Sequence, residues 1–338
     1  MTTNSETNTT QIYNILSIDG GGIKVLYSIY MLQHFEKIYC KPNGKTISQY
    51  FDMFCGTSGG GIVALSLACD ISIDTIAQIF EEYSEKIFPG HNSGPVMSKI
   101  YTIYRTIKMI FGAKYDNKAL RELAYSIFGE KTLWDIKHKV CIPSFCLDTA
   151  SNYVFGSDDF NKDVKLVDVV LATSAAPTYF PVHFIPEYGH FVDGGVWANN
   201  PAFVGIDEAL KYHVGKTHQS YRILSLGNIN TKPKIVPESN KNFWNILNIP
   251  HLVSIMFDSD RQETCNNCKI VSQFTNGFLV RITANDNNFI RFENDIELDN
   301  SDKKVMATIH HNSLKYSELL TTQGSVEYNK KRVYQFFI

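Results

Sequence analysis

Twice before residue 70 the chain passes from a short apolar stretch through clustered glycines directly into a helix-like apolar period, which leaves few folds open to it. Ile12–Ile18 reads as a buried strand, Asp19-Gly20-Gly21-Gly22 as a turn, and residues 23–39 as a helix. Residues 50–55, the turn at 56–61 and the apolar run 62–69 repeat that order. Two βα units in succession imply a mostly parallel central sheet with helices on its faces.

The later sequence extends the same pattern. Residues 140–147, 153–155 and 221–226 read as strands and 166–176 as a helix. Between the early units and these strands, residues 72–139 carry a helical period with charged faces, broken by a Pro/Gly/Asn/Ser loop at 89–95. The division expected is a disordered tail over 1–11 and one domain over 12–338, with 72–139 as a helical insertion or lid. A chain of 338 residues, 44% hydrophobic, can bury a large core in that form.

Composition excludes several function classes. With 32 basic against 34 acidic residues there is no basic field to attract nucleic acid. Seven cysteines, an odd number in a chain large enough to fold without staples, point to free thiols in a reducing compartment. Cys265 and Cys268 form the one close pair, and no further Cys or His recurs at zinc-ligand spacing, so no metal and no cofactor is expected. The polar N-terminus lacks a signal-peptide core, and no apolar run is long enough to cross a bilayer, so an intracellular, cytoplasmic protein is expected.

Three short segments carry chemistry. Gly56-Thr57-Ser58-Gly59-Gly60 fits G-x-S-x-G between a strand and a helix, a sharp turn that exposes a serine oxygen between small neighbours. Asp19-Gly20-Gly21-Gly22-Ile23-Lys24 can converge backbone N–H groups on a small anion at a helix start. It lacks the spacing of a dinucleotide or P-loop fingerprint, since Val25 follows Lys24 and no Gly-Lys-Ser/Thr comes after the glycines. Phe191-Val192-Asp193-Gly194-Gly195 offers one carboxylate in an apolar approach, where desolvation raises a pKa and makes a base. A histidine base remains open on residue types alone, and His183 and His190 lie nearest Asp193 in sequence.

Taken in order, these three segments resemble the patatin-like phospholipase family. Supporting stretches are Lys114-Tyr115-Asp116, Ala172-Thr173-Ser174-Ala175-Ala176-Pro177-Thr178-Tyr179-Phe180-Pro181, Ser225-Leu226-Gly227, residues 254–260 and residues 279–282. The resemblance implies a three-layer α/β/α fold, hydrolysis of phospholipid acyl esters through an acyl-enzyme, and a Ser/Asp dyad in place of a triad. It assigns the nucleophile to Ser58, the general base to Asp193 and the oxyanion donors to the backbone at Gly20, Gly21 and Gly22. Lys24, Gly56, Gly59, Gly60, Gly194 and Gly195 are supporting residues, Lys24 either strengthening the oxyanion field or anchoring its helix to a carboxylate. Two departures from the family pattern are Val25, expected to affect packing, and Asn228, expected to affect the loop after its strand.

The partners expected are a phospholipid or other acyl lipid, met by peripheral membrane contact, and an activator of unknown kind. Residues 95–113 mix Ile100, Tyr104 and Ile107 with Lys99, Arg105 and Lys108, a pattern suited to a membrane surface or to an ordinary lid. Residues 243–257 read as a packed helix near the site entrance. Two other activities stay open: a thioesterase or acyltransferase on the same scaffold, and a catalytically silent lipid-sensing module.

Overall fold

The first strand, β1 (Ile12–Ile18), lies inside the sheet with neighbours on both edges. Its side chains alternate between two apolar layers, Tyr13 and Ile15 entering one and Leu16 and Ile18 the other, as the two-residue period of a strand requires. A strand that is apolar on both sides must be covered on both, and the chain accordingly builds three α/β/α layers.

The computed structural model describes residues 11–89, 113–156, 162–229, 249–284, 296, 298–322 and 328–337. The remaining strands are β2 (Met53–Gly56), β3 (Lys139–Cys146), β4 (Ser151–Gly156), β5 (His183–Ile185), β6 (Gly189–Asp193), β7 (Ser220–Leu226) and β8 (Phe278–Ile282). Their order is β5-β6-β3-β2-β1-β7-β8, with β4 also on β3. Strands β3, β2, β1, β7 and β8 are parallel to their neighbours along that row, and β4, β5 and β6 join antiparallel. The sheet is therefore mixed and mostly parallel.

One face carries α1 (Leu26–Phe35) and α2 (Gly59–Ala68), both buried in the larger core. The helix α3 (Ile73–Ile87) starts on a Ser72 cap whose hydroxyl accepts the Thr75 N–H at 3.1 Å, and it packs against α1. Next come α4 (Lys118–Phe128) and α5 (Leu166–Thr173), which pack on each other. A short turn, α6 (Gly195–Ala198), leads to α7 (Ala202–Tyr212) on the opposite face, where Ala202, Ile206 and Ala209 meet Ile15, Met53 and Ile223. The long α8 (Ile249–Phe274) packs against α6 and α7, while α9 (Lys303–Thr321) packs on α1 and α10 (Tyr328–Phe337) on α9.

Several expected boundaries move for local reasons. The helix expected over 23–39 opens as a tight turn, Gly22–Val25, in which the Lys24 N–H reaches the Gly21 carbonyl at 3.1 Å, and past Phe35 it continues to its expected end as a widened π-helical turn, Glu36–Cys40. The helix expected over 166–176 stops at Thr173, past which the Ala175 N–H turns to the Ala172 carbonyl at 3.4 Å and the Ala175 carbonyl accepts the Asp193 N–H at 3.0 Å. Strands β6 and β8 carry no clear local signal, being short and interrupted by polar residues such as His190 and Arg281. The expectations for the tail over 1–10, for residues 90–112 and for residues 243–248 lie outside the described residues.

The register of β3 explains how two distant segments meet. Along one edge, β3 pairs with β4 over Cys141–Cys146. Along the other it pairs first with β2, ending at Cys55↔Cys141, and then with β6, from Ser144↔Asp193 to Cys146↔Phe191. Strands β2 and β6 thus approach each other head-on in the same lane. Thr57 and Ser58, just past β2, and Asp193 and Gly194, at the end of β6, enter the gap beside Pro143. A proline lacks the N–H that a continuous ladder would need there.

Candidate active site

The gap between β2 and β6 opens at the carboxyl ends of the parallel strands, where open α/β sheets place their ligands. Ser58 stands between β2 and α2 with φ 54° and ψ −126°. Positive φ costs an ordinary L-residue about 1–3 kcal/mol and persists only where the surroundings enforce it. Here the turn is packed closely against β1, since a Cβ on Gly60 would strike the carbonyls of Ile18 and Asp19. The Ser58 carbonyl accepts the N–H of Gly61 at 2.8 Å and of Ile62 at 3.2 Å, and its side chain makes no capping bond. The hydroxyl is thereby left for the cavity at the positive end of α2.

The Ser58 N–H donates to Thr173 Oγ1 at 3.0 Å, and that hydroxyl donates to the Pro143 carbonyl at 2.6 Å. One buried threonine therefore joins the strained turn to the break in β3. Thr173→Val is expected to leave the Ser58 N–H buried without an acceptor, costing about 1–3 kcal/mol of stability in thermal or urea unfolding. Thr173→Ser, which keeps the oxygen, is expected to recover most of that loss.

Asp193 is fully buried at the end of β6. Its Oδ1 accepts the Gly195 N–H at 2.7 Å. Loss of solvent pushes its carboxyl up to about 7 from 3.8, against the opposing pull of the Gly195 N–H and the neighbouring Ser58 side chain. Ser58 is thus close enough to act on the carboxylate as a hydrogen-bonding group, yet Oδ2 has no partner at ordinary hydrogen-bond distance. Such a contact is loose in the free protein and has room to tighten around a substrate. Gly194 and Gly195 leave space for Pro143 and Phe257, respectively.

The glycine loop lies across from this pair and is pinned from beneath. Asp19 is fully buried, and Arg281 of β8 grips it with two bonds of 2.6 Å each. Arg261 of α8 adds a contact at 3.5 Å and donates to the Gly20 carbonyl at 3.2 Å. Asn228 Nδ2 donates to the carbonyls of Asp19 at 3.0 Å and Gly20 at 2.9 Å. Donors on the Gly20 carbonyl polarise the peptide whose N–H belongs to Gly21. The expectation that Asn228 matters only to the loop after its strand is therefore too narrow, since its side chain supports the glycine loop. Arg261 carries no motif signal, and Arg281, inside the supporting stretch 279–282, is given no role by the resemblance, although an arginine inside the apolar Phe278–Ile282 strand is a signal of a buried ion pair.

The expectation for Gly20 needs correction. Its N–H donates to the Asn199 carbonyl at 2.9 Å, so that amide is committed to holding the loop. Among the described residues the N–H groups of Gly21, Gly22 and Gly59 have no such acceptor. Lys24 is buried under the loop and Val25 is a core residue against α2. His183 bonds Asp168 at 3.0 Å and the half-exposed His190 bonds Asp148 at 3.0 Å, and neither lines the cavity.

Above Ser58 is a cavity of about 680 Å³, counting its open mouth. Its walls are apolar, with Phe80 and Ile87 from α3, Leu120 from α4, and Tyr179, Phe180 and Phe257. Helices α3 and α4 thus form one side of it. Among the described residues no group of three or more His, Cys, Asp or Glu is arranged to hold a metal ion.

A strained serine under an apolar cavity, backed by a buried carboxylate at the carboxyl end of a parallel sheet, is the layout of α/β acyl-ester hydrolases. The chain belongs to the patatin-like phospholipase family, whose model matches residues 16–206, more than half of the 338. It is 34% identical over 242 residues to a cGAMP-activated phospholipase of Vibrio cholerae, covering 67% of this chain and 66% of that protein. It is also 34% identical over 220 residues to a cGAMP-activated phospholipase of Pseudomonas aeruginosa, covering 64% of this chain and 62% of that one. Patatin-like protein 2 of Arabidopsis thaliana is 34% identical over 219 residues, covering 58% of this chain and 52% of the plant protein. The match spans just under two thirds of the bacterial relatives and about half of the plant one.

Proposed function

We propose that the protein releases fatty acids from phospholipids through a Ser58/Asp193 dyad and an acyl-enzyme. The observation that carries this reading is the strained Ser58 turn beside a buried carboxyl whose pKa is pushed up to about 7, under an apolar cavity. A base titrating near neutral pH is matched to proton transfer from a serine hydroxyl. Asp193 takes the Ser58 proton as Oγ attacks the ester carbonyl. The tetrahedral oxyanion is held by the N–H groups of Gly21, Gly22 and Gly59. Collapse expels the alcohol, which receives the proton from Asp193, and water activated by the same carboxylate then frees the fatty acid. Each methylene of the acyl chain buried against Phe80, Leu120 and Phe257 contributes about 0.8 kcal/mol to binding.

In this reading residues 12–338 act as one catalytic domain, the helices of 72–139 supplying the acyl wall. The protein meets its substrate at a bilayer surface from the cytoplasm; among the described residues no helix is long and apolar enough to cross a membrane. The names of the two bacterial relatives make a cyclic dinucleotide the first activator to test. The experiment is mass spectrometry of products from mixed phospholipid vesicles, with and without cGAMP. Fatty acid and lysophospholipid are the expected products, and their absence under both conditions would overturn the proposal.

A further inference from the structure

We propose that Ser174 is a catalytic residue that contacts substrate, its hydroxyl donating a hydrogen bond to the alcohol-side oxygen of the scissile ester. The proposal rests on the Ser58/Asp193 reading and adds to it a hydrogen-bond donor for the leaving-group oxygen, which Asp193 protonates in that reading. Ser174 is 5% exposed, lines the same cavity as Ser58, and has no hydrogen-bond partner for its Oγ. A buried hydroxyl is ordinarily satisfied, so an orphan on a residue that lines a cavity marks a place where a ligand can supply the partner.

Three serines line the cavity, and the other two are accounted for. Ser84 donates to the Glu81 carbonyl of its own helix at 3.0 Å. Ser58 is the nucleophile of the proposed dyad. Ser174 is bracketed by contacts to both members of that dyad. The residue before it, Thr173, accepts the Ser58 N–H at 3.0 Å, and the residue after it, Ala175, accepts the Asp193 N–H at 3.0 Å. Ser174 is thus held on a three-residue span tied to both nucleophile and base. The glycine amides are placed for the carbonyl oxygen, and among the described residues no histidine lines the cavity to serve the other oxygen.

The chemistry is a hydrogen bond and not a proton transfer. When the tetrahedral intermediate collapses, the bond from carbonyl carbon to alcohol oxygen breaks and its electron pair stays on that oxygen. Asp193 returns the proton it took from Ser58 to the same oxygen. The Ser174 O–H keeps its proton and stabilises the negative charge while it develops. The benefit is therefore largest for poor leaving groups such as glycerol and smallest for nitrophenol.

The test is kcat/KM, which reads acylation, for esters of one fatty acid with nitrophenol, phenol and glycerol. Ser174→Ala is expected to lose about tenfold on the glyceryl ester and progressively less toward the nitrophenyl ester, steepening the dependence on leaving-group pKa. Because the hydroxyl has no partner in the free protein, the variant is expected to unfold at no lower temperature than wild type. Ser174→Thr, which keeps a hydroxyl, is expected to retain the wild-type slope. An equal loss across the series, or none, would overturn the role of Ser174 while leaving the dyad intact. Turnover that survives Ser58→Ala measured in parallel would instead overturn the dyad, and this inference with it.

Discussion

Asp193→Asn is expected to lower kcat/KM by on the order of 10⁴-fold, and Ser58→Ala by at least as much, because base and nucleophile act as one unit. In wild type the same carboxyl sets the acid limb of the rate. Its pKa is raised by burial to about 7, so the basic form is lost as pH falls through that value and activity falls with it. Stability moves in the other direction. Between 3.8 and about 7 the folded carboxyl holds a proton that the unfolded chain has released. Its contribution is therefore fully present below 3.8 and lost as pH rises through about 7, a difference on the order of 4 kcal/mol. Asp193→Asn removes a buried charge at high pH and keeps the acceptor for the Gly195 N–H. The variant is expected to unfold at a higher temperature than wild type at pH 8 and to lose that advantage by pH 4. A catalytic carboxylate that weakens the fold it sits in is the usual exchange of stability for activity.

Arg281→Met carries the second large effect, and it falls on the fold first. Arg281 is 10% exposed and Asp19 not at all, and the pair is joined by two bonds of 2.6 Å. Removing one partner of a buried pair costs about 3–5 kcal/mol because the other charge stays behind in low dielectric. Arg261, at 3.5 Å, remains to offset part of that charge, so the loss is expected near the lower figure. The carboxylate also fixes the start of the glycine loop, so kcat should fall as the Gly21 and Gly22 amides lose their direction. The double variant Asp19→Asn/Arg281→Met removes both charges of that pair but leaves the buried Arg261 beside a neutral side chain, so it is expected to regain part of the stability but not the rate. Urea unfolding of both variants beside wild type, with turnover measured on the folded fraction, separates the two losses.

Local pattern makes part of this molecule legible in its residues. The two βα units are visible because Ile12–Ile18 and the run 62–69 are apolar at the right period and the glycines between them have little other use. Ser58, Asp193 and the glycines can be named for the same reason. Their meeting cannot be derived from pattern, because it depends on β6 entering the lane of β2 beside Pro143, and strand pairing over such separations leaves no local trace. The support beneath the glycine loop is hidden in a similar way. Asn228 is one polar residue after a strand, and its two bonds to the carbonyls of Asp19 and Gly20 exist only once β7 lies beside β1. Gly20 shows the converse: a motif places it among the oxyanion donors, while the tertiary contact to Asn199 uses up its amide.

The most direct test of Ser58 activated by Asp193 is labelling with a fluorophosphonate, followed by peptide mass spectrometry across a pH series. The expected result is a single label on Ser58, formed faster as pH rises through about 7 and strongly slowed in Asp193→Asn. A label on another residue, or a Ser58 labelling rate indifferent to both pH and the loss of the carboxylate, would contradict the dyad.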